Sequence, residues 1–347
     1  MLSEMIEATS KFYIYGAQVI AYGTYLAIKH LCGKSPTAFV VSHTTDNPVT
    51  IDGIPVIEPE KIPFDALIVV AVTELLQGEI ASSLTRTGFS NIFLLTAHEE
   101  HLLMSSYFAS LGKFPIAEER DNKTFDFAMY EVCNHRDKPL AKPPKLLPFE
   151  HKIQAGAYLT DKRIAALSDN TGANISRKNK QYCEMTATYW VWKNTSHEWV
   201  GIEHYRRHLL VKPTMLKKDL DAILPLPYIC YPNEITQFRR FVSEDVLNSL
   251  LKALKDLHPN EYENYLAIMR GKYQYTYNLL CAKRNVFDDY CNWFFRITEY
   301  MENMSDITPE IKDTRALSYV AEVLTNIYFV SRQDVWVIHH VEKSIYI

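Results

Sequence analysis

Several things are scarce in this sequence, and each scarcity excludes a class. Glycine occurs 11 times in 347 residues and the 16 prolines follow no repeat, so the chain is neither collagen-like nor of low complexity. The six cysteines, Cys32, Cys133, Cys183, Cys230, Cys281 and Cys291, form no C-x-x-C pair, and no histidine cluster has zinc-finger spacing. They read as reduced, mostly buried thiols. The most apolar runs, such as residues 66–72, are far too short to span a bilayer. The first 16 residues carry acids and lack the apolar stretch of a signal peptide. A cytoplasmic protein is expected, peripheral at the inner face of the membrane if it works there at all. With a net charge of −4 there is no general basic field for nucleic acid.

Hydrophobic residues make up 47% and charged residues 22%, as in a folded chain of about two to three domains. The first hundred residues alternate strand and helix patterns. Residues 12–15, 38–41, 54–57, 66–71 and 91–95 read as strands, and residues 17–31 and 73–87 as helices. Such alternation predicts βαβ units around a parallel sheet, a small Rossmann-like domain. Its first turn, Gly16-Ala17 followed by Gly23, is half of a dinucleotide fingerprint. Gly16 and Gly23 are the candidate N-terminal nucleotide-binding positions; a purely structural domain is the other reading.

The domain boundary is placed near residue 120, giving units 1–120 and 121–347. Residues 125–133 read as the first strand of the second unit, and the four prolines within 138–148 mark an extended connector. Residues 198–203 read as a buried strand, 243–257 as an amphipathic helix capped by Ser243, and 260–270 as a helix with Pro259 at its first position. Residues 275–282 read as a strand, and 286–301 and 314–329 as helices.

Two segments concentrate polar chemistry. Residues 168–184 gather Asp169, Asn170, Thr171, Asn174, Ser176, Asn179 and Glu184 around Gly172, a loop suited to sugar or ribose hydroxyls or, equally, to capping a helix. His204-Tyr205-Arg206-Arg207-His208 follows the strand at 198–203. Arginine forks at a strand end match phosphate oxygens and stabilise a leaving diphosphate. Asp219-Leu220-Asp221 is an Asp-x-Asp in letters only, and reads as a solvated helix face. A divalent metal (Mn or Mg) is therefore left open: either the arginines take its place or His204 helps to bind it.

Both halves carry resemblances. Tyr15-Gly16-Ala17, Asp46-Asn47-Pro48 and residues 53–57 resemble the small Rossmann-like domain that opens bacterial sugar-modifying acetyltransferases. The runs QAGAYL (154–159), SDNTGANISRKN (168–179), YCEMTATYWVWKN (182–194), VGIEHYRRH (200–208), 277–295 and 315–329 resemble a bacterial polysaccharide glycosyltransferase family first described as a domain of unknown function. The likeness covers residues 125–335 and departs from the family at Ala173, usually Asp, and at Val323, usually Arg.

That resemblance implies a GT-A-type α/β fold with a helical C-terminal half. It also implies transfer of a sugar, galactofuranose from UDP-galactofuranose in characterised relatives, onto a capsular, exopolysaccharide or O-antigen glycan. It places Gln154, Gly156, Asp169, Asn174, Ser176, Asn179, His204, Arg206 and Arg207 at the donor and Asn278 at the acceptor or transferred sugar. Asp288, Asp289 and Glu322 are the candidate catalytic carboxylates, Asp288 and Asp289 reading equally as helix-start acids. The implied partners are a UDP-sugar and a lipid-linked glycan, with a homo-oligomer left open. Two other functions stand beside this one: a sugar-nucleotide-modifying enzyme using the N-terminal domain, and a non-catalytic sugar-nucleotide sensor or scaffold.

Overall fold

The computed structural model describes residues 2–120, 125–304 and 314–347. It divides into two compact units, Met1–Phe114 with Tyr228–Pro232 and Ile347, and Pro115–Pro227 with Asn233–Tyr346. The boundary expected at 120–121 adjoins residues 121–124, which lie outside the described residues.

The first unit is built on a six-stranded sheet. Its strands are β1 (Phe12–Tyr15), β2 (Ala38–Val40), β3 (Thr50–Ile51), β4 (Ile54–Ile57), β5 (Leu67–Val70) and β6 (Ile92–Leu94). Their order is β3-β4-β2-β1-β5-β6, parallel throughout except for the β3–β4 hairpin. The chain steps outward from β1 first in one direction and then in the other, which is the Rossmann arrangement. β1 and β5 are buried at every position, so they read as unbroken apolar runs rather than as alternating ones. Helices α1 (Leu2–Ala8), α2 (Val19–Cys32), α3 (Glu74–Thr87) and α4 (Ala97–Ser110) complete the unit. Gly16 has φ +123°, and a Cβ there would lie 2.7 Å from the Ala71 carbonyl oxygen. Only glycine lets the chain leave β1 this close to the end of β5. Gly23 lies inside α2, where a Cβ would meet Met104 of α4 at 3.6 Å; it is a helix-packing position.

The second unit has a mixed nine-stranded sheet. The main path uses β7 (Phe127–Cys133), β8 (Glu150–Gln154), β9 (Leu167–Ser168), β10 (Trp199–His204), β12 (Ala222–Pro225), β15 (Leu280–Lys283) and β16 (Ile338–Val341), in the order β16-β12-β15-β10-β7-β8-β9. A ribbon of β11 (Arg207–Leu209) and β17 (Lys343–Ile345) extends from β10. The short strand β14 (Tyr273–Gln274) lies outside this path, and β13 (Tyr228–Ile229) belongs to the first unit. Side chains alternate along β10. Trp199, Gly201 and Glu203 face one side, where Trp199 joins a core with Met129, Leu209, Ile223 and Cys281. Val200, Ile202 and His204 face the other. The helices are α5 (Asn179–Tyr182), α6 (Met185–Asn194), α7 (Glu234–Phe238), α8 (Glu244–Leu257), α9 (Tyr262–Met269), α10 (Arg284–Glu302) and α11 (Ala316–Val330).

The amphipathic helix expected at 243–257 is α8, with the Ser243 hydroxyl accepting from the Val246 amide at 3.4 Å. Three expectations are corrected. The helix expected to start at Pro259 starts at Tyr262, with Glu261 at its cap. The strand expected over 275–282 is broken, because Tyr277 and Asn278 both take left-handed φ values, 67° and 54°; pairing resumes only at Leu280. Asp219-Leu220-Asp221 is not on a helix. Asp221 ends a turn before β12, pairs with Lys283 at 3.0 Å and accepts from the Val337 amide at 3.0 Å.

Candidate active site at the sheet edge

β7, β8, β9 and β10 run parallel, so Cys133, Gln154, Ser168 and His204 end at one edge of the sheet. Open α/β sheets bind ligands beyond such an edge. Here the edge opens into a cleft of about 700 Å³, lined by Asn134, His135, Asp137, Ala155, Asn179, Glu184, His204 and Arg315 among others.

The floor is held by one carboxylate. Asp169 is fully buried. It accepts from the backbone amides of Gly156 at 2.8 Å and Ala157 at 3.0 Å, and from the hydroxyls of Ser176 and Thr186. Four donors on one carboxylate fix the turn after β8 against the 168–179 loop. Ser176 in turn accepts from the Tyr158 amide at 3.0 Å. Gln154 is likewise consumed by the scaffold, donating to the Lys162 carbonyl and accepting from the Ile164 amide. Asn174 is exposed and closes its own turn through the Gly172 carbonyl and the Ser176 amide. Asn179 reaches the cleft wall, where its Oδ1 accepts from Asn134 at 3.2 Å.

The upper wall is cationic. His204 is set deep beside Arg207, Arg206 and Arg315; burial, then those charges, push its imidazole down to about 3. It is neutral at any working pH. The Arg207 guanidinium stacks on Tyr277, 3.9 Å from the ring centroid, and Arg206 leans on Tyr205 at 5.0 Å. Among the described residues neither arginine has a carboxylate within ion-pair distance, and the Nε atom of each is buried without a hydrogen bond. Asp137, which lines the cleft, is pushed up to about 6 by burial, with the Asn134 amide and Arg206 pulling it back.

Of the three carboxylates proposed for catalysis, Glu322 is the one set near these cations, behind the residues that line the cleft. It lies on α11, its Oε1 accepting from the Tyr277 amide at 3.2 Å. Burial pushes it up to about 7; Glu184 pushes the same way, and Arg207 and Arg315 oppose. Asn278 bridges inward, donating to Glu184 at 2.8 Å. Asp288 and Asp289 lie on α10 instead. Asp288 faces Arg284 at 3.4 Å and Asp289 accepts from Tyr328 at 2.7 Å, which are helix-surface and helix-packing roles. The tryptophans do not line the cleft: Trp192 stacks on Phe295, Trp293 is buried, and Trp190 donates to Thr171.

Asp137 and Arg315 were not singled out as site residues from sequence, and Glu184 was read only as part of the polar 168–184 segment. Glu184 and Arg315 are 131 positions apart and meet only through the packing of α11 against α5. The one available signal was a charged residue beside an otherwise apolar helix.

An α/β fold with a cationic, carboxylate-bearing cleft at its sheet edge defines the class. A profile of the family described as "Domain of unknown function (DUF4422)" matches residues 130–333, and the chain belongs to that family. Among solved structures it is similar to "WbbM bifunctional glycosytransferase apo structure", at 22% identity and a TM-score of 0.54, over 63% of this chain and 45% of that one. The chain therefore spans less than half of that protein's length, and the likeness establishes a shared α/β fold of the GT-A kind. No curated protein matches the chain. No helix among the described residues is long and apolar enough to cross a membrane.

Proposed function

We propose that this protein is a glycosyltransferase that displaces UDP from a sugar nucleotide at the cleft beyond β10. The observation that carries the reading is the meeting of two arginines without a carboxylate partner among the described residues, Arg206 and Arg207, with a carboxyl near neutrality, Glu322, at one sheet edge. Arg206 and Arg207 hold the diphosphate and stabilise the charge it gains as its bond to the anomeric carbon breaks. Glu322 takes the proton from the acceptor hydroxyl as that oxygen bonds to the anomeric carbon. Asn278, tied to Glu184, orients the transferred sugar. Asp169, Ser176 and Gln154 act through the backbone turns they fix. The family resemblance supplies the finer reading: galactofuranose from UDP-galactofuranose, passed to a growing lipid-linked glycan at the inner membrane face.

The test is UDP release from a panel of UDP-sugars, including both ring forms of UDP-galactose, with and without manganese and with a galactose-terminated acceptor. Acceptor-dependent release from the furanose donor is the expected result. Release from a different donor alone overturns the sugar and keeps the reaction. UDP binding without release from any donor favours the sensor reading.

A further inference from the structure

His204 faces the cleft, and its neighbour Glu203 faces the opposite side of the sheet. That reverse face carries a second group of ionisable side chains that the proposed transfer does not use. Glu131 sits beside Glu203 in register on β7, and Lys152 beside Glu131 on β8. Glu150, two residues earlier on β8, points the same way as Lys152. His208, on β11, closes over them.

Glu203 is the anomaly. Its side chain is 0% exposed. Among the described residues no donor meets either of its oxygens with hydrogen-bond geometry; the Leu209 amide approaches it and is the weakest of the groups acting on it. A buried carboxylate without hydrogen bonds is costly, and the two charged groups that act on it, Glu150 and Glu131, are acids. The one cation close by, Lys152, is already paired with Glu131 at 3.0 Å. His208 stands between the two acids. Its Nε2 lies 3.1 Å from Glu131 Oε2 and its Nδ1 3.5 Å from Glu203 Oε1. With the ring proton on Nε2, held by Glu131, Nδ1 is free to offer its lone pair to a cation on the Glu203 side. A carboxylate that fixes the far nitrogen of a histidine is also the recurrent support of a metal-binding imidazole.

We propose that Glu203, His208 Nδ1 and Glu150 bind a divalent first-row cation of the zinc or manganese type. One ligand atom from each of the three lies within 4.8 Å of the others. A tetrahedral cation with ligands at about 2.1 Å draws them to roughly 3.4 Å, a movement available to the partly exposed Glu150. One imidazole and two carboxylates suit zinc first and manganese second. Glu131 supports the imidazole and does not ligate. The ligands at 203 and 208 bracket residues 204–207, so the cation fastens both ends of the segment that carries Arg206 and Arg207. Its effect on transfer rests on the function proposed above; its existence does not.

The test uses the full chain, stripped with a chelator and titrated with zinc and, separately, manganese, with bound metal counted by elemental analysis. One equivalent of metal is expected, zinc tighter than manganese, together with a rise in the melting temperature. Glu203→Gln, near-isosteric and still folded, loses the equivalent and the shift. Glu150→Gln weakens binding, and Glu131→Gln weakens it about 10–100-fold by freeing the imidazole. Arg206→Ala binds metal as the parent does while losing UDP release, which separates a failure of this site from a failure of the transferase reading. Absence of stoichiometric metal in the parent overturns the proposal. So does unchanged binding in Glu203→Gln, or a Glu203→Gln protein more stable than a parent that binds no metal, the mark of a carboxyl that is simply protonated.

Discussion

Gly156 and Asn179 approach so closely that a Cβ at position 156 would sit 2.4 Å from Asn179 Oδ1. Gly156 also has φ +67°, so both space and backbone demand glycine. Gly156→Ala is expected to lower stability by about 2–4 kcal/mol, part strain and part overpacking. Adding Asn179→Ala should restore the overpacking share and leave the backbone share. Denaturant midpoints of the two single variants and the double variant measure the coupling.

Asp169 and Arg206 are expected to fail in different ways. Asp169→Asn replaces one acceptor oxygen by a donor facing donors, and should cost about 2–4 kcal/mol of stability. Arg206→Ala should leave the melting temperature within a degree or two and reduce UDP release by about 100-fold or more. Thermal melts and single-donor kinetics on both proteins decide the matter; an Arg206→Ala enzyme with parental turnover removes the diphosphate role.

The pH profile of transfer should carry one rising limb near pH 7. Glu322, pushed up to about 7, accepts a proton only when ionised, so turnover is low below that pH and levels above it. Glu322→Gln should abolish the limb and lower turnover about 10²–10⁴-fold while UDP still binds. His204, pushed down to about 3, contributes no limb between pH 5 and 9. Asp137→Asn should leave the inflection in place.

Asn278 separates strain from contact. Asn278→Gly keeps the left-handed backbone and loses the bond to Glu184, whereas Asn278→Ala loses the bond and adds roughly 1 kcal/mol of backbone strain. The difference in unfolding free energy between the two variants isolates the strain. Turnover should fall equally in both, since each leaves Glu184 without its amide.

Much of the fold was legible because buried parallel strands announce themselves as apolar runs. β5 is one such run, and β7 and β10 are interrupted only by Glu131 and Glu203. Those interruptions were themselves a signal, since a carboxylate in the middle of a buried strand needs a partner. The break at Tyr277 and Asn278 was not legible: no glycine marks it, and the conformation is held by Glu322 and Glu184 from elsewhere in the chain. The histidine–arginine run was legible as a strand-end site from its position alone. Asp169 was legible as important but not as a clasp, because its four donors come from three separate stretches of chain.

The alternation along β10 gives that segment a phase. Deleting one residue between 199 and 203 would turn His204 inward beside Glu131 and turn Glu203 out into the cleft, inverting both sites at once. Length changes inherited by related chains should therefore gather in the proline-rich connector at 138–148, which has no regular element to fall out of step, and be missing from residues 199–208.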